Sequence, residues 1–165
     1  MIAIRACAVT DLDAVQAIYA HHVRAGLGTF EEVPPSIEVM RERFAVLVQA
    51  DFPFLVATID ERVAGYAYAG AFRPRGAYRY TAESSVYVAP ERQRCGVGHA
   101  LMLRVIADCQ KLKIRQLIAV IGDSGNHASI GLHLALGFVR VGVFKEVGFK
   151  FERWVDVVLM QRTLA

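Results

Sequence analysis

The stretch "VYVAPERQRCGVGHALM", residues 86–102, decides the fold of this chain. An apolar strand ends at Pro90, a charged and polar segment follows, and Gly96 and Gly98 precede an amphipathic run. Glycines at the mouth of a helix let the backbone come close to a ligand, and the N–H groups that converge there bind anions. The stretch therefore predicts a strand, an anion-binding turn and a helix in succession.

Two common phosphate-binding motifs can be tested against this stretch, and both fail. A dinucleotide-binding fingerprint needs a third glycine at position 101, which is Leu, and a tight turn from strand to helix. A Walker loop needs Gly-Lys followed by Ser or Thr, and the chain has no such sequence. The two glycines alone leave two interpretations open, a pyrophosphate site and an ordinary helix start.

Composition and charge narrow the class of protein. The 165 residues suit one domain, 1–165, and 55% of them are hydrophobic, which is enough to bury a core. The net charge of +3 includes no block of like charge, so small anionic ligands are favoured and no nucleic-acid partner is expected. Cys7, Cys95 and Cys109 are widely spaced, which predicts free thiols and no metal site.

Nothing in the sequence indicates a membrane or secretory segment. No apolar run reaches the roughly 18 residues that are needed to span a bilayer. The N-terminus "MIAIRACAVTDLD" has no basic region ahead of an apolar core. We therefore expect no signal peptide, no membrane partner and a cytoplasmic location.

Apolar periodicity and helix-breaking residues predict the order β-α-α-β-β-β-α-β-α-β-β. Thr10 or Asp11 caps a first helix that Gly26 ends, and Ser36 caps a second helix after the loop "TFEEVPPS". "QLIAVIG", residues 116–122, is apolar and is expected to be buried on both faces. Three consecutive strands in the middle argue against a doubly wound fold and predict a mixed α/β, or α+β, domain around one sheet.

The longer string, from the strand through "QRCGVG" to the helix, resembles the acyl-CoA-binding signature of the GNAT acetyltransferases, Gln/Arg-x-x-Gly-x-Gly/Ala. Gln93, Gly96 and Gly98 fill that signature. "AYRYTAESSVYV" and "AVIGDSGNHASIGLHLALGF" resemble the branch that includes phosphinothricin N-acetyltransferases and methionine sulfone/sulfoximine N-acetyltransferases. The resemblance implies a GNAT fold, with a central, mostly antiparallel, twisted sheet of about seven strands flanked by about four helices, and acetyl-CoA as co-substrate.

The same resemblance implies which residues bind acetyl-CoA. The backbone of the glycine turn would cradle the pyrophosphate, and the preceding strand would pair with the pantetheine arm. Asn126, which can also cap its helix, and Ser129 would lie near that arm. The expected acetyl-CoA-binding residues are Val86, Tyr87, Val88, Gln93, Arg94, Cys95, Gly96, Val97, Gly98, His99, Asn126 and Ser129.

Two residues are expected to be catalytic. Glu83 lies in an otherwise apolar or neutral strand, where burial would raise its pKa and make it a better base. The residues alone leave open a solvent-exposed carboxylate or one paired with Arg79, but the matching Glu is the proposed base in the resembling enzymes. His133 stands where many GNAT enzymes have a tyrosine that protonates the leaving thiolate, and a buried structural histidine is its alternative.

The substrate site is expected to involve two arginines and a loop. Arg73 and Arg79 flank a polar connection, and guanidinium groups suit the α-carboxylate of an amino acid. The sulfone/sulfoximine-acetylating branch carries arginines at corresponding positions, whereas Arg75 is expected to be a solvated loop charge. Phe30 and Glu31 would cover the site as family loops do, although core packing of Phe30 is an equal alternative.

We therefore expect an N-acetyltransferase that moves the acetyl group of acetyl-CoA to the α-amine of a small amino-acid analogue by direct attack in a ternary complex. Phosphinothricin, methionine sulfone and methionine sulfoximine are the leading substrates. Phe151 and Val155 depart from the histidines that phosphinothricin-acetylating members tend to have. The alternatives are acetylation of a protein N-terminus or another amine, and a non-catalytic acyl-CoA sensor. Branch members are commonly dimers, and the Phe-rich "VFKEVGFKFERW" also predicts a homodimer.

Overall fold

A mixed sheet of seven strands organises residues 1–164, which a computed structural model describes. The strands, in chain order, are β1 (Ala3–Ala6), β2 (Phe54–Ile59), β3 (Arg62–Ala71), β4 (Thr81–Val88), β5 (Gln116–Gly122), β6 (Val139–Lys150) and β7 (Arg153–Thr163). The α-helices are α1 (Leu12–Ala25), α2 (Ile37–Gln49), α3 (Val97–Lys111) and α4 (His127–Ala135). The predicted element order is confirmed, and so is the expected mixed α/β domain, which within residues 1–164 has seven strands and four α-helices.

The strand order in the sheet is β1-β2-β3-β4-β5-β7-β6. Every neighbouring pair is antiparallel except β4 and β5, which run parallel. Side chains alternate between the two faces along each strand, so the core forms two clusters. On one face α3 packs through Leu101 and Val105, and on the other face α1 and α2 pack through Val15 and Met40.

β4 contributes to both faces of the sheet. Ala82 belongs to the cluster beneath α3, and Tyr87 packs on the cluster beneath α1 and α2. Because side chains alternate, Glu83 shares the face of Tyr87. The helices on this face of the sheet are α1 and α2.

The parallel strands β4 and β5 pair over only part of their length. Residues 81–84 pair with residues 116–119, and beyond them the two strands continue to Val88 and Gly122 without pairing. Each strand is held by its outer neighbour, since β3 pairs with β4 as far as Val88 and β7 pairs with β5 as far as Gly122. A gap therefore opens in the middle of the sheet.

The gap changes the environment of β5. Leu117, Ala119 and Ile121 are buried, but Val120 is 40% exposed. The expectation that this strand is buried on both faces is wrong, because Val120 lines the gap instead of packing under a helix.

No helix within residues 1–164 combines the length and apolarity needed to cross a membrane.

Candidate active site

The gap between β4 and β5 opens into a cleft of about 890 Å³. Its walls are the unpaired end of β4, the turn before α3, the end of β5 and the first turns of α4. The expected acetyl-CoA-binding residues that line it are Val86, Tyr87, Val88, Gln93, Arg94, Gly96, Val97, Gly98, His99, Asn126 and Ser129. Cys95 is exposed outside this lining, and its thiol donates to the carbonyl of Gln93 at 3.4 Å.

The turn before α3 presents backbone N–H groups that lack partners. Arg94 and Gly96 have φ angles of 61° and 82°, so this short turn visits the left-handed region twice. Turns of this kind form concave, anion-binding backbone. Ser36 and Asn126 cap α2 and α4 with side-chain oxygens, but no side chain within residues 1–164 caps α3. The first N–H groups of α3 are therefore available to an anion such as a pyrophosphate.

Gly96, which precedes α3, and Gly98, which lies in its first turn, serve different purposes. At Gly96 an added Cβ would meet only Ile2 Cδ1 at 4.0 Å, so the backbone conformation requires glycine there. At Gly98 an added Cβ would lie 3.3 Å from Leu132 Cδ2 and 3.5 Å from Val88 Cγ2. Gly98 therefore lets α3 begin close to α4 and β4, which shapes the wall of the cleft.

Glu83 is half-buried in the interior of the sheet. It lies opposite Gly70 of β3 and Ile118 of β5, so it is not on an edge strand. At Gly70 the side chain of Leu47 fills the space that a Cβ would need, which brings α2 down onto this part of the sheet. Burial raises the pKa of Glu83, and the positive charge of Arg73 opposes that shift. A carboxyl with a raised pKa suits a general base.

The suggested ion pair between Glu83 and Arg79 does not form within residues 1–164. Arg79 donates to the carbonyl of Gly76 at 3.2 Å, and its guanidinium lies 4.7 Å from the ring centre of Tyr80. The carboxylate of Glu83 therefore has no ion-pair partner within residues 1–164.

The connection between β3 and β4 presents both arginines to solvent. It contains one 3₁₀ turn, Gly76–Tyr78, and the Arg73 guanidinium lies 5.1 Å from the ring centre of Phe72. Neither Arg73 nor Arg79 forms an ion pair with the described part of the chain. Both cations are consequently available to an anionic ligand.

His133 lines the cleft from α4 and is buried. Its Nδ1 donates to the carbonyl of Ser129 at 2.8 Å, and its ring packs edge-on against Phe138 at 4.9 Å between centres. Burial lowers the pKa of His133, which favours the neutral ring. In that form Nδ1 carries the proton and Nε2 is an acceptor.

Phe30 and Glu31 have partners within the protein. The ring of Phe30 lies over the backbone of Gly122 and Gly148. The carboxylate of Glu31 accepts from both terminal nitrogens of Arg43, at 2.6 and 2.9 Å, and from the Tyr19 hydroxyl. These bonds from Arg43 and Tyr19 hold the pKa of Glu31 below its usual range. Substrate binding by either residue stays a prediction.

Sequence reasoning missed two residues that support the cleft. His22 donates from Nε2 to the carbonyl of Val88 at 2.8 Å, and its position on the apolar stripe of α1 was the available signal. Asp156 accepts from the backbone N–H of Glu146 at 2.9 Å and from Ser124 Oγ at 2.8 Å. It thereby joins a bulge in β6 to the loop before α4, and these bonds lower the pKa of Asp156 to about 2.

Within residues 1–164, no group of three or more His, Cys, Asp or Glu side chains is arranged to hold a metal ion. What the cleft offers is an open strand edge and a cluster of free backbone donors. The half-buried carboxylate of Glu83 is not part of the lining but lies on β4 immediately before Ser84, where the lining begins. Such a site can hold an extended, anionic ligand and remove a proton beside it.

The known proteins that this chain resembles are acetyltransferases. The family described as "Acetyltransferase (GNAT) domain" matches residues 4–159. Phosphinothricin N-acetyltransferase of Alcaligenes faecalis is 58% identical over 154 residues, which are 93% of this chain and 78% of that protein. L-methionine sulfoximine/L-methionine sulfone acetyltransferase of Pseudomonas aeruginosa is 36% identical over 162 residues, 98% of this chain and 94% of that protein.

Solved structures share the whole fold. The phosphinothricin acetyltransferase of Sinorhizobium meliloti, solved in complex with acetyl-CoA, superposes with a TM-score of 0.97 at 42% identity, over 99% of this chain and 89% of that chain. A structure described as ribosomal-protein-alanine N-acetyltransferase from Brucella melitensis has a TM-score of 0.95 at 38% identity, over 98% and 99% of the two chains.

Proposed function

The chain belongs to the GNAT acetyltransferase family, and from that premise we propose that it acetylates the α-amine of a small amino-acid analogue of the phosphinothricin, methionine sulfone or methionine sulfoximine type. Acetyl-CoA is the acetyl donor. The observation that carries the proposal is an open strand edge beside an uncapped glycine turn at one gap in the sheet, with the half-buried carboxylate of Glu83 on the paired part of β4 just before that gap. A cytoplasmic location is part of the proposal, since the three free thiols suit a reducing compartment.

The cleft fits acetyl-CoA by its pattern of backbone donors. The N–H groups at Gly96 and at the start of α3 would hold the pyrophosphate, and Arg94 would add positive charge. The unpaired edge of β4 from 85 to 88 would pair with the amides of the pantetheine arm. Acetyl-CoA supplies the acetyl group as a thioester, so that attack by the amine forms the C–N bond, breaks the C–S bond and releases the thiolate of coenzyme A.

Glu83 is the proposed base. The amine of an amino acid is mostly an ammonium ion at neutral pH and cannot attack in that form. The carboxylate of Glu83, directly or through one water, would take a proton from it, and the free amine would then attack in a ternary complex. A catalytic role for His133 stays a prediction, because proton donation to the sulfur would need a proton on Nε2 and not only on Nδ1.

The proposed α-carboxylate clamp gives a direct prediction. Losing a charge-assisted hydrogen bond costs about 1.5–3 kcal/mol, so Arg73→Ala and Arg79→Ala should each raise the KM for the amino acid by about tenfold or more. The KM for acetyl-CoA should hardly change. Arg75→Ala is the matched control, because Arg75 is exposed on the same connection. Equal turnover of amino-acid amides and free acids would show that no such clamp exists.

Acetylation of a protein N-terminus is the second candidate, and the Brucella melitensis structure described as ribosomal-protein-alanine N-acetyltransferase favours it. One experiment separates the candidates. Thiol release from acetyl-CoA is measured with amino acids, their sulfone, sulfoximine and phosphinate analogues, and short peptides that begin with alanine. Turnover of free amino-acid analogues alone supports our proposal, turnover of peptides alone contradicts it, and acetyl-CoA binding without any turnover would indicate a sensor.

We propose a homodimer that forms through the β6–β7 hairpin. Large apolar side chains that are more than half exposed cluster on it: Val141, Phe144, Val147, Phe149, Phe151 and Trp154. The rings of Phe149 and Trp154 lie 4.9 Å apart between centres and form one continuous apolar surface.

The homodimer predicts a mass of about twice 18.2 kDa by light scattering at micromolar concentration. Trp154→Glu places a charge in the apolar surface and should yield a folded monomer, because an unpaired buried charge is costly. Lys111→Glu, at the last residue of α3 and outside the β6–β7 hairpin, should leave the mass unchanged. A monomeric wild-type protein would refute the interface.

A further inference from the structure

A short segment after α1, residues 26–31, forms part of the cleft wall. Gly26, Leu27 and Gly28 line the cleft between β4 and β5. Glu31, at the other end of the segment, is paired with Arg43 of α2. The segment therefore runs from the wall of the cleft to an ion pair with α2.

A buried lysine of β6 holds the segment. Lys150 is only 2% exposed, and its Nζ donates to the carbonyls of Gly26 and Thr29, both at 2.8 Å. The ammonium also lies 4.9 Å from the ring centre of Phe151. No carboxylate forms an ion pair with Lys150 within residues 1–164. The two backbone carbonyls are therefore the main groups that replace water around this ammonium.

Two glycines let the segment lie directly on the sheet. A Cβ at Gly122, the last residue of β5, would collide with the carbonyl oxygen of Leu27. A Cβ at Gly148 of β6 would collide with the ring of Phe30. By contrast, a Cβ at Gly142, also in β6, would meet nothing within 4 Å. The sheet thus lacks side chains at the places where the segment rests on it.

We propose that Lys150 and Gly148 form a seat on β6 that fixes the 26–31 segment, and that Lys150 is a positioning residue for acetyl transfer. The proposal rests on the proposed function, because it assigns the geometry of the same cleft. Lys150 does not line the cleft; it acts through the carbonyls of Gly26 and Thr29. When the seat is lost, the segment moves away from the end of β5 and the acceptor is held less tightly in the cleft.

The test uses two variants that disturb the seat in different ways. Lys150→Met keeps the length and volume of the side chain but removes both hydrogen bonds, whereas Gly148→Ala displaces Phe30. Lys111→Met, an exposed lysine of α3, and Gly142→Ala are the matched controls. Measured quantities are kcat, the KM for the amino acid, the Kd for acetyl-CoA, and amide hydrogen exchange along the chain.

The expected result is a selective loss of acceptor binding. Release of the 26–31 segment, part of which lines the cleft, should raise the KM for the amino acid by roughly tenfold in Lys150→Met, because the acceptor is then positioned less well. Gly148→Ala should shift KM in the same direction, and kcat should stay within about threefold, since Glu83 and its pKa are untouched. Amides of residues 26–31 should exchange faster in both variants, while those of α3 and β5 keep their protection. Both controls should resemble the wild type.

Two results would overturn the proposal. One is unchanged exchange at residues 26–31 together with an unchanged KM in both variants. The other is faster exchange throughout the chain with an unchanged KM at temperatures where the variants stay folded, which would make Lys150 a stabilising residue only. Failure of the proposed function can be told apart from failure of this proposal. In that case the wild type itself would turn over no amino acid, while hydrogen exchange would still show whether Lys150 and Gly148 fix the 26–31 segment.

Discussion

Glu83→Gln is expected to lower kcat by about 10²–10⁴-fold at pH 7, the usual contribution of a positioned general base. The amide keeps the shape of the side chain and its hydrogen-bonding atoms, but it cannot accept the proton of the substrate ammonium. The Kd for acetyl-CoA should not change, because the proposed pyrophosphate donors lie in the turn before α3. Steady-state kinetics and calorimetry on the same preparation separate the two effects. Glu61→Gln, an exposed glutamate in the turn between β2 and β3, is the matched control.

The pH dependence provides a second check on Glu83. Burial raises the pKa of this carboxyl, so it takes up a proton at a higher pH than an ordinary glutamate does. Wild-type kcat should therefore fall as the pH drops through that raised pKa and level off above it. The variant should instead keep gaining activity as the pH rises, because free amine then forms without help. Near-normal kcat at pH 7 with a wild-type pH profile would make Glu83 a structural carboxylate, and His133 or a water chain would be the next candidate base.

Substitutions in the glycine turn should have the second largest effect, on acetyl-CoA binding. Gly96→Ala forces a Cβ onto a residue with a φ of 82°, so the turn is expected to relax and move its N–H groups away from the pyrophosphate. Gly98→Val adds branched methyls close to Leu132 and Val88, which should push the start of α3 off the cleft. Loss of one or two charge-assisted bonds predicts a Kd for acetyl-CoA about 10–100-fold weaker.

Matched glycines elsewhere separate ligand binding from backbone strain. Gly137→Ala also forces a Cβ onto a left-handed residue, with a φ of 79°, but it lies beyond the end of α4 and outside the cleft. Gly131→Val places valine in a helix at a site where a Cβ meets nothing within 4 Å. Calorimetry should show wild-type affinity in both controls. If folded Gly96→Ala and Gly98→Val proteins also bind acetyl-CoA with unchanged affinity, the pyrophosphate is held elsewhere.

The local features of the site could be predicted because they depend on neighbouring residues. Glycine is needed where φ is positive, and Gly96 shows this within a single turn of chain. The alternation of β4 places Glu83 on a defined face, and its apolar neighbours predict the raised pKa that the structure shows. The burial of individual residues in β5 was harder to predict, since Val120 is apolar yet lines the cleft.

The sequence by itself determined the element order, the anion-binding turn and the position of Glu83, because periodicity and backbone preference act over a few residues. Only the tertiary structure decided where β4 and β5 separate, since that depends on how far β3 and β7 hold them on their outer sides. It also decided that Lys150 is buried and bonded to Gly26, a residue 124 positions away in the chain. Contacts over such a separation leave no local pattern in the sequence, because the carbonyl that accepts the bond belongs to the backbone and is the same for every residue type.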